Sequence, residues 1–285
     1  MVMNYYIADL HFGHQSILAL NMRPFHSATA MEEMLIHNWN SKVSDQDDIY
    51  ILGDLFFHCD HPEQILQHLK GKKHLILGNH DLKWLTDELK TYFHSIHTSF
   101  ELIDQNHTVF LCHYPMLSYP KQSRAYMIHG HIHNDTLFDY WPVLLKRKRI
   151  LNAGVDINHF EPVTFNELLI NNDNYRTFMI NSYPMFLLSV RFHSIELKQR
   201  NLSKTELYET FTDFLKSHKI TLHRQGLYLI ENFEDSKALL DELRLKILNT
   251  PQWLSLIKNF DVVHVDENGS YSYLDYLNKE TIYMK

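Results

Sequence analysis

Leu75-Ile76-Leu77-Gly78-Asn79-His80-Asp81 is the stretch that decides the reading of this chain. Three apolar residues suit a strand, a glycine lets the backbone turn, and three side chains follow that can hold a metal or move a proton. The same pattern recurs along the first part of the sequence. Tyr5-Tyr6-Ile7-Ala8 precedes Asp9-Leu10-His11, and Ile49-Tyr50-Ile51-Leu52 precedes Gly53-Asp54. Val109-Phe110-Leu111 precedes Cys112-His113, and Tyr126-Met127-Ile128 precedes His129-Gly130-His131-Ile132-His133. Ligands of open α/β sheets bind beyond the carboxyl ends of strands. Strand ends rich in Asp, His and Asn therefore predict one convergent site, with enough nitrogen and oxygen donors for two divalent metals.

The relay Asp-x-His, Gly-Asp, Gly-Asn-His-Asp, a lone His and Gly-His-x-His resembles the calcineurin-like metallophosphoesterase family over roughly residues 3 to 170. The resemblance implies an α/β domain in which two mixed sheets are stacked in a four-layer sandwich between helices. It implies Asp54 as the carboxylate bridging two metals, with Asp9, His11 and His133 completing one shell and Asn79, His113 and His131 the other. Mn²⁺ is the expected metal, with Fe²⁺, Ni²⁺ and Zn²⁺ as alternatives. It implies in-line attack of a metal-bridging hydroxide on a phosphodiester or a phosphomonoester, with His80 protonating the leaving oxygen. An imidazole titrates in the right range for that step. Asp81 is expected to orient the His80 ring. A small phosphorylated substrate, such as a nucleotide, is the expected partner.

Other residues carry weaker signals. His14 either contacts phosphate or supports its loop. Arg23, in Arg23-Pro24-Phe25, resembles a stretch of a small bacterial and phage branch of the family and would clamp a phosphate; the alternative is a surface salt bridge. Asn152-Ala153-Gly154-Val155-Asp156 fits the same branch and either braces the metal loops or forms a turn. His129 reads as a packed strand residue, His58 and His61 as surface loop residues, and Cys112 as buried and inert. Lys146-Arg147-Lys148-Arg149 is a dense basic run that reads as a solvated loop or as a steering patch for anions.

Composition limits the alternatives. The chain has 285 residues, a net charge of −7 and 45% hydrophobic residues. That charge argues against broad electrostatic binding to nucleic acid. No apolar run is long enough for a membrane span, and the first residues do not read as a signal peptide. Two cysteines, Cys59 and Cys112, make no disulfide framework, so a cytoplasmic compartment is expected.

The Asn171-Asn172-Asp173-Asn174 run predicts a turn and a boundary, dividing the chain into domains over 1–174 and 183–285. Helices are expected at Ala30–Val43, Pro62–Leu69 and Leu82–Leu89, and a hairpin at Phe100–Leu111 turning near Gln105-Asn106. In the second domain strands are expected at 185–192, 219–224, 226–231 and 260–265, and helices at 204–217, 235–248 and 251–258. That β-α-β-β-α-β order predicts a small α+β, ferredoxin-like domain able to pair with a second copy as a homodimer. It also faintly resembles the virulence-associated protein D family of ribonucleases, through Met185-Phe186, Leu207-Tyr208, Gln225-Gly226-Leu227-Tyr228 and Trp253. Arg191 stands where that family has an acidic residue. The competing functions are therefore a nucleic-acid-processing, toxin-like ribonuclease and a non-enzymatic scaffold.

Overall fold

The computed structural model describes residues 2–138, 140–216, 220–231, 233–249, 251–276 and 280–282. The chain forms two compact units. One comprises Met1–Phe138 with Val143–Phe178; the other comprises Asp139–Pro142 with Met179–Lys285.

The first unit holds two mixed sheets. Strands β1 (Asn4–Ile7), β2 (Asp48–Ile51), β3 (Lys72–Ile76) and β4 (Ser95–His97) run parallel, and β9 (Val163–Thr164) adds antiparallel beside β1, giving the order β4-β3-β2-β1-β9. The other sheet is β5 (Ser99–Asp104), β6 (His107–Cys112), β7 (Tyr126–His129) and β8 (Ile150–Asn152), antiparallel at β5-β6 and parallel thereafter. Alternation in β1 explains how the layers form. Tyr5 and Ile7 pack on the Met31, Leu35 and Trp39 face of the helix Ala28–Lys42, whereas Tyr6 and Ala8 pack with Val109, Leu111, Ile128 and Leu151 of the other sheet. The first sheet is thus covered by helices on one face and by the second sheet on the other. At the carboxyl ends the sheets are joined by Ala8 N–H to Ala153 O (2.9 Å) and Val155 N–H to Ala8 O (3.1 Å).

Local chemistry moved several predicted boundaries. The first long helix starts at Ala28 rather than at the expected Ala30, capped by Ser27, whose hydroxyl accepts from Ala30 N–H at 3.1 Å. The continuous helix expected over Leu82–Leu89 is instead a 3₁₀ turn, Asp81–Lys83, and a short helix, Asp87–Lys90. Thr86 interrupts it, because its hydroxyl caps the second piece by accepting from Leu89 N–H. The hairpin turns where expected, with Gln105 and Asn106 both at positive φ (45° and 66°), the backbone a tight two-residue turn needs.

The turn expected at Asn171–Asn174 does not form; those residues lie inside the helix Phe165–Asn181. A capping box starts this helix: Thr164 N–H donates to Glu167 Oε2 at 2.7 Å, and Glu167 N–H to Thr164 Oγ1 at 3.4 Å. Asn172 stays helical because its amide has work elsewhere. β8 is an edge strand, and the Asn172 side chain accepts from Asn152 N–H (2.7 Å) and donates to Asn152 O (3.0 Å), standing in for a neighbouring strand.

The second unit is one antiparallel sheet in the order β11-β12-β10-β13-β14-β15. Its strands are β10 (Met185–Phe192), β11 (Ile220–Arg224), β12 (Leu227–Ile230), β13 (Ile257–Val265), β14 (Tyr271–Asp275) and β15 (Glu280–Ile282). One face packs Leu188, Val190, Phe260 and Val262 on Tyr208, Phe211, Leu215, Leu240 and Leu243 from the helices Lys204–Lys216 and Phe233–Leu248. Of the predicted features here, Ser217, Lys219 and the Trp253 side chain lie outside the described residues. β14 and β15 had not been expected.

Candidate metal centre

The loops that leave β1, β2, β3, β6 and β7 converge, and they do so in strained backbone. Asp9, His11, Asp54, His131 and His133 all have φ between 51° and 72°. Non-glycine residues rarely adopt this left-handed region, and such outliers gather at functional sites. Glycines make room for them. A Cβ on Gly53 (φ 85°) would lie 2.4 Å from His113 Nδ1, and one on Gly78 would lie 2.4 Å from Asp54 Oδ1.

Two groups of potential ligands result: Asp9, His11 and His133, and Asp54, His113 and His131, the donor atoms of each group lying within 4.8 Å of one another. Asn79 joins the second group, its Oδ1 lying 3.1 Å from His113 Nε2 and 3.0 Å from His131 Nδ1. Asp54 lies between the groups: its Oδ2 is 3.7 Å from His11 Nε2, 3.6 Å from His113 Nε2 and 3.7 Å from His80 Nε2.

The inward nitrogens are presented by hydrogen bonds on the far side of each ring. His113 Nδ1 meets Leu52 O at 2.8 Å, so its Nε2 faces the site. His133 Nδ1 meets Asp156 Oδ2 at 2.8 Å. His11 Nδ1 meets His14 Nδ1 at 3.2 Å, leaving His11 Nε2 buried without a hydrogen-bond partner. Orphaned buried nitrogens are uncommon, and a cation between the ligand groups would satisfy this one. Imidazole, carboxylate and amide donors suit Mn²⁺, Fe²⁺, Ni²⁺ or Zn²⁺.

Charge is balanced tightly here. Burial raises the Asp9 carboxyl above its ordinary range, opposed by His133 and His113 and by the His131 N–H bonds at 3.0 and 2.9 Å. Burial drives His11 well below 6.5, reinforced by His133, Arg23 and the other histidines. Burial likewise brings His131 down to about 4. Burial also pulls down His133, but Asp9 and then Asp156 outweigh it and raise that ring.

Three expected roles require correction. Arg23 is no exposed phosphate clamp: its side chain is fully buried and all its polar atoms are engaged. Nε and Nη2 grip Asp156 at 2.9 and 3.0 Å, while Nη1 and Nη2 donate to the carbonyls of Leu10 and Asp9 at 2.8 and 2.6 Å. Arg23 therefore holds the Asp9 loop and, through Asp156, the His133 ring. His14 is no substrate contact either, because His11 takes one ring nitrogen and Ser16 Oγ, at 2.9 Å, takes the other. It lies against Phe57 at 4.0 Å between ring centroids. Asp81 does not orient His80. Its buried carboxylate accepts from Gly78 N–H (2.7 Å), Asp54 N–H (2.9 Å), Leu55 N–H (3.1 Å) and Trp84 Nε1 (3.0 Å), tying the β2 and β3 loops together. His80 is instead held through its backbone, its N–H donating to Asp54 Oδ1 at 3.0 Å, and its ring packs edge-on to Phe57.

The remaining residues divide as follows. Asn152 braces the site, donating to His133 O at 2.7 Å and accepting from Gly154 N–H at 2.8 Å. His129 is buried in β7, with its pKa lowered by burial to about 4. His58 and His61 are exposed, and Cys112 is half-buried, with burial raising its thiol pKa. Sequence reasoning missed Asn158, which donates to Asn152 O and Gly154 O, as well as Asn172 and Phe57. An unusual density of asparagine between 152 and 174 was the available signal for the first two.

No protein-family model matches the chain. Among solved structures, that of the protein of unknown function AQ665 from Aquifex aeolicus is 28% identical, with a TM-score of 0.47, covering 59% of this chain and 97% of that one. Yfce, a phosphoesterase from E. coli, is 14% identical, with a TM-score of 0.28, covering 46% and 69% respectively. The uncharacterized protein MJ1445 of Methanocaldococcus jannaschii is 32% identical over 164 residues, which make up 56% of this chain and 85% of the relative. With that identity over most of the relative's length, the chain belongs to the same family as MJ1445.

Proposed function

We propose that the first unit is a divalent-metal phosphoesterase that hydrolyses phosphodiesters in preference to monoesters. The observation that carries this reading is the pair of ligand groups, in which His11 Nε2 of one, buried without a hydrogen-bond partner, stands 3.7 Å from Asp54 Oδ2 of the other. Asp9, His11 and His133 would hold one ion and Asn79, His113 and His131 the other, with Asp54 shared between them. Ions held there would supply positive charge to offset the phosphoryl oxygens and to acidify the attacking water.

The protein's own groups do the rest. His80 Nε2 faces Asp54 and the ligand cluster, and its side chain is 25% exposed, so an ester oxygen can reach it. As the P–O bond breaks, this imidazolium gives its proton to the leaving oxygen, while the oxygen of water forms the new bond to phosphorus. The products are an alcohol and a phosphate with one more hydroxyl; the other proton of water passes to solvent, from which His80 recovers its own. Asp81 and Arg23 keep the loops in their strained positions, so no reorganisation is needed during the reaction.

The β11-β12-β10-β13 order and antiparallel pairing support a ferredoxin-like reading of the second unit. Arg191, exposed on β10, argues against ribonuclease chemistry there.

The test is hydrolysis of bis(4-nitrophenyl) phosphate with added Mn²⁺, by the protein and by its Asp54→Asn variant. A loss of at least about 100-fold, about 2.7 kcal/mol of barrier, is expected. Absence of metal-dependent turnover, or equal rates for the two proteins, overturns the proposal.

A further inference from the structure

A groove of about 830 Å³ opens beside the ligand cluster, within the first unit, lined by the segments 56–63 and 80–92. Its size is that of a small-molecule site. His80 is the lining residue that also borders Asp54, so the groove begins where the proton donor stands. Its walls include the half-buried rings of Phe57, Trp84 and Tyr92. Tyr92 is braced by Gln67 Nε2 donating to its hydroxyl at 2.8 Å, and Trp84 by Asp81. Asp60, Glu63 and Glu88 line it too, against a single lysine, Lys83, and all four of these side chains belong to exposed residues or to the groove's partly exposed rim.

We infer that this groove receives the leaving group of the ester, and that it selects uncharged aromatic alcohols, such as nucleosides, over anionic ones. The inference rests on the phosphoesterase reading above. An atom that takes its proton from His80 must lie on the His80 side of the phosphorus, and the groove is the cavity that His80 also lines. Half-buried rings provide faces for an aromatic group to stack on. Three carboxylates facing one ammonium repel a leaving group that carries a further phosphate or carboxylate, and they accept from ring amines, as carboxylates do from cytosine. A polynucleotide leaving strand, with a phosphate at every step, is disfavoured by the same rim.

The test compares two substrates on the Mn²⁺-loaded protein: the methyl phosphodiesters of 4-nitrophenol and of 3-carboxy-4-nitrophenol. The two phenolates leave with similar ease and differ by one negative charge. The uncharged ester is expected to have a kcat/KM at least about 10-fold higher. Glu63→Lys/Glu88→Lys should narrow that ratio to about 3-fold or less. Tyr92→Ala should raise KM for the uncharged ester at least about 3-fold. Equal rates on both esters, a preference unmoved by the lysines, or an unchanged KM in Tyr92→Ala overturns the inference and leaves the hydrolase standing. If neither ester is hydrolysed, the phosphoesterase reading fails first and takes this one with it.

Discussion

Replacing Arg23 by methionine, which keeps the length of the side chain and removes its charge, would leave the buried Asp156 carboxylate with His133 alone as its side-chain partner. The two side chains are 0% and 1% exposed, and the guanidinium makes two bonds to that carboxylate besides the two to the Asp9 and Leu10 carbonyls. Removing one partner of a buried ion pair costs about 3–5 kcal/mol, because the remaining charge cannot be rehydrated. For a unit of this size that corresponds to a fall in Tm of about 6–20 °C. Thermal and urea unfolding of Arg23→Met, Asp156→Leu and the double variant would measure it. The double variant is expected to cost at least about 2 kcal/mol less than the sum of the singles, since the Arg23–Asp156 pair is then counted once and neither of its charges is left without the other, while the loss at His133 is common to Asp156→Leu and the double variant. A cost below about 1 kcal/mol for Arg23→Met, or two single costs that simply add, would refute the view that this arginine is internal scaffolding.

Three further outcomes are expected. His80→Gln should slow an alkyl phosphodiester by about 100-fold or more, but a nitrophenyl ester by under about 10-fold, because the better leaving group needs less protonation; equal losses on both would remove His80 as the proton donor. In Gly130→Ala the new Cβ would stand 2.7 Å from Ala8 Cβ and from Asp9 Oδ2, so calorimetric titration should show weakened Mn²⁺ binding, and unaltered binding would contradict the crowding argument. Asp261, directly across from Asp275, has its carboxyl raised to about 6, by burial first and by Asp275 second. A carboxyl raised on folding lends its stability below about pH 4 and loses it as pH rises through about 6. Asp261→Asn should therefore stabilise the second unit at pH 7.5 by about 1–2 kcal/mol, the half-exposed Asp275 being partly screened by solvent, and should have little effect at pH 4. A variant no more stable than the parent at pH 7.5 would show that the pair is not repulsive.

The strand-end residue types were legible because metal-binding chemistry restricts them to His, Asp and Asn, and because each follows an apolar run that can only be a strand. Met185–Phe192 was legible to the residue for a related reason: six of its eight residues are apolar, and so dense a run in a sheet centre needs no partner to declare itself. Asn171–Asn174 misled because asparagine's local preference is a turn, while its actual partner lies 20 residues back on an unpaired strand edge. Asp81 misled in the same way: adjacency to His80 suggested a pair, yet its carboxylate bonds backbone N–H groups 26 and 27 residues away.

The sequence by itself determined which atoms could bind a metal and roughly where the chain would present them, since side-chain chemistry and strand-length hydrophobic runs are properties of short segments. Only the tertiary structure decided which of those atoms meet. It set the left-handed backbone at Asp9, His11, Asp54, His131 and His133, a conformation these residues adopt only when packing imposes it. It also turned Arg23 inward, because the carboxylate that neutralises it, Asp156, lies 133 residues further along the chain. A buried charge goes where its counter-charge is, and that location is a property of the fold.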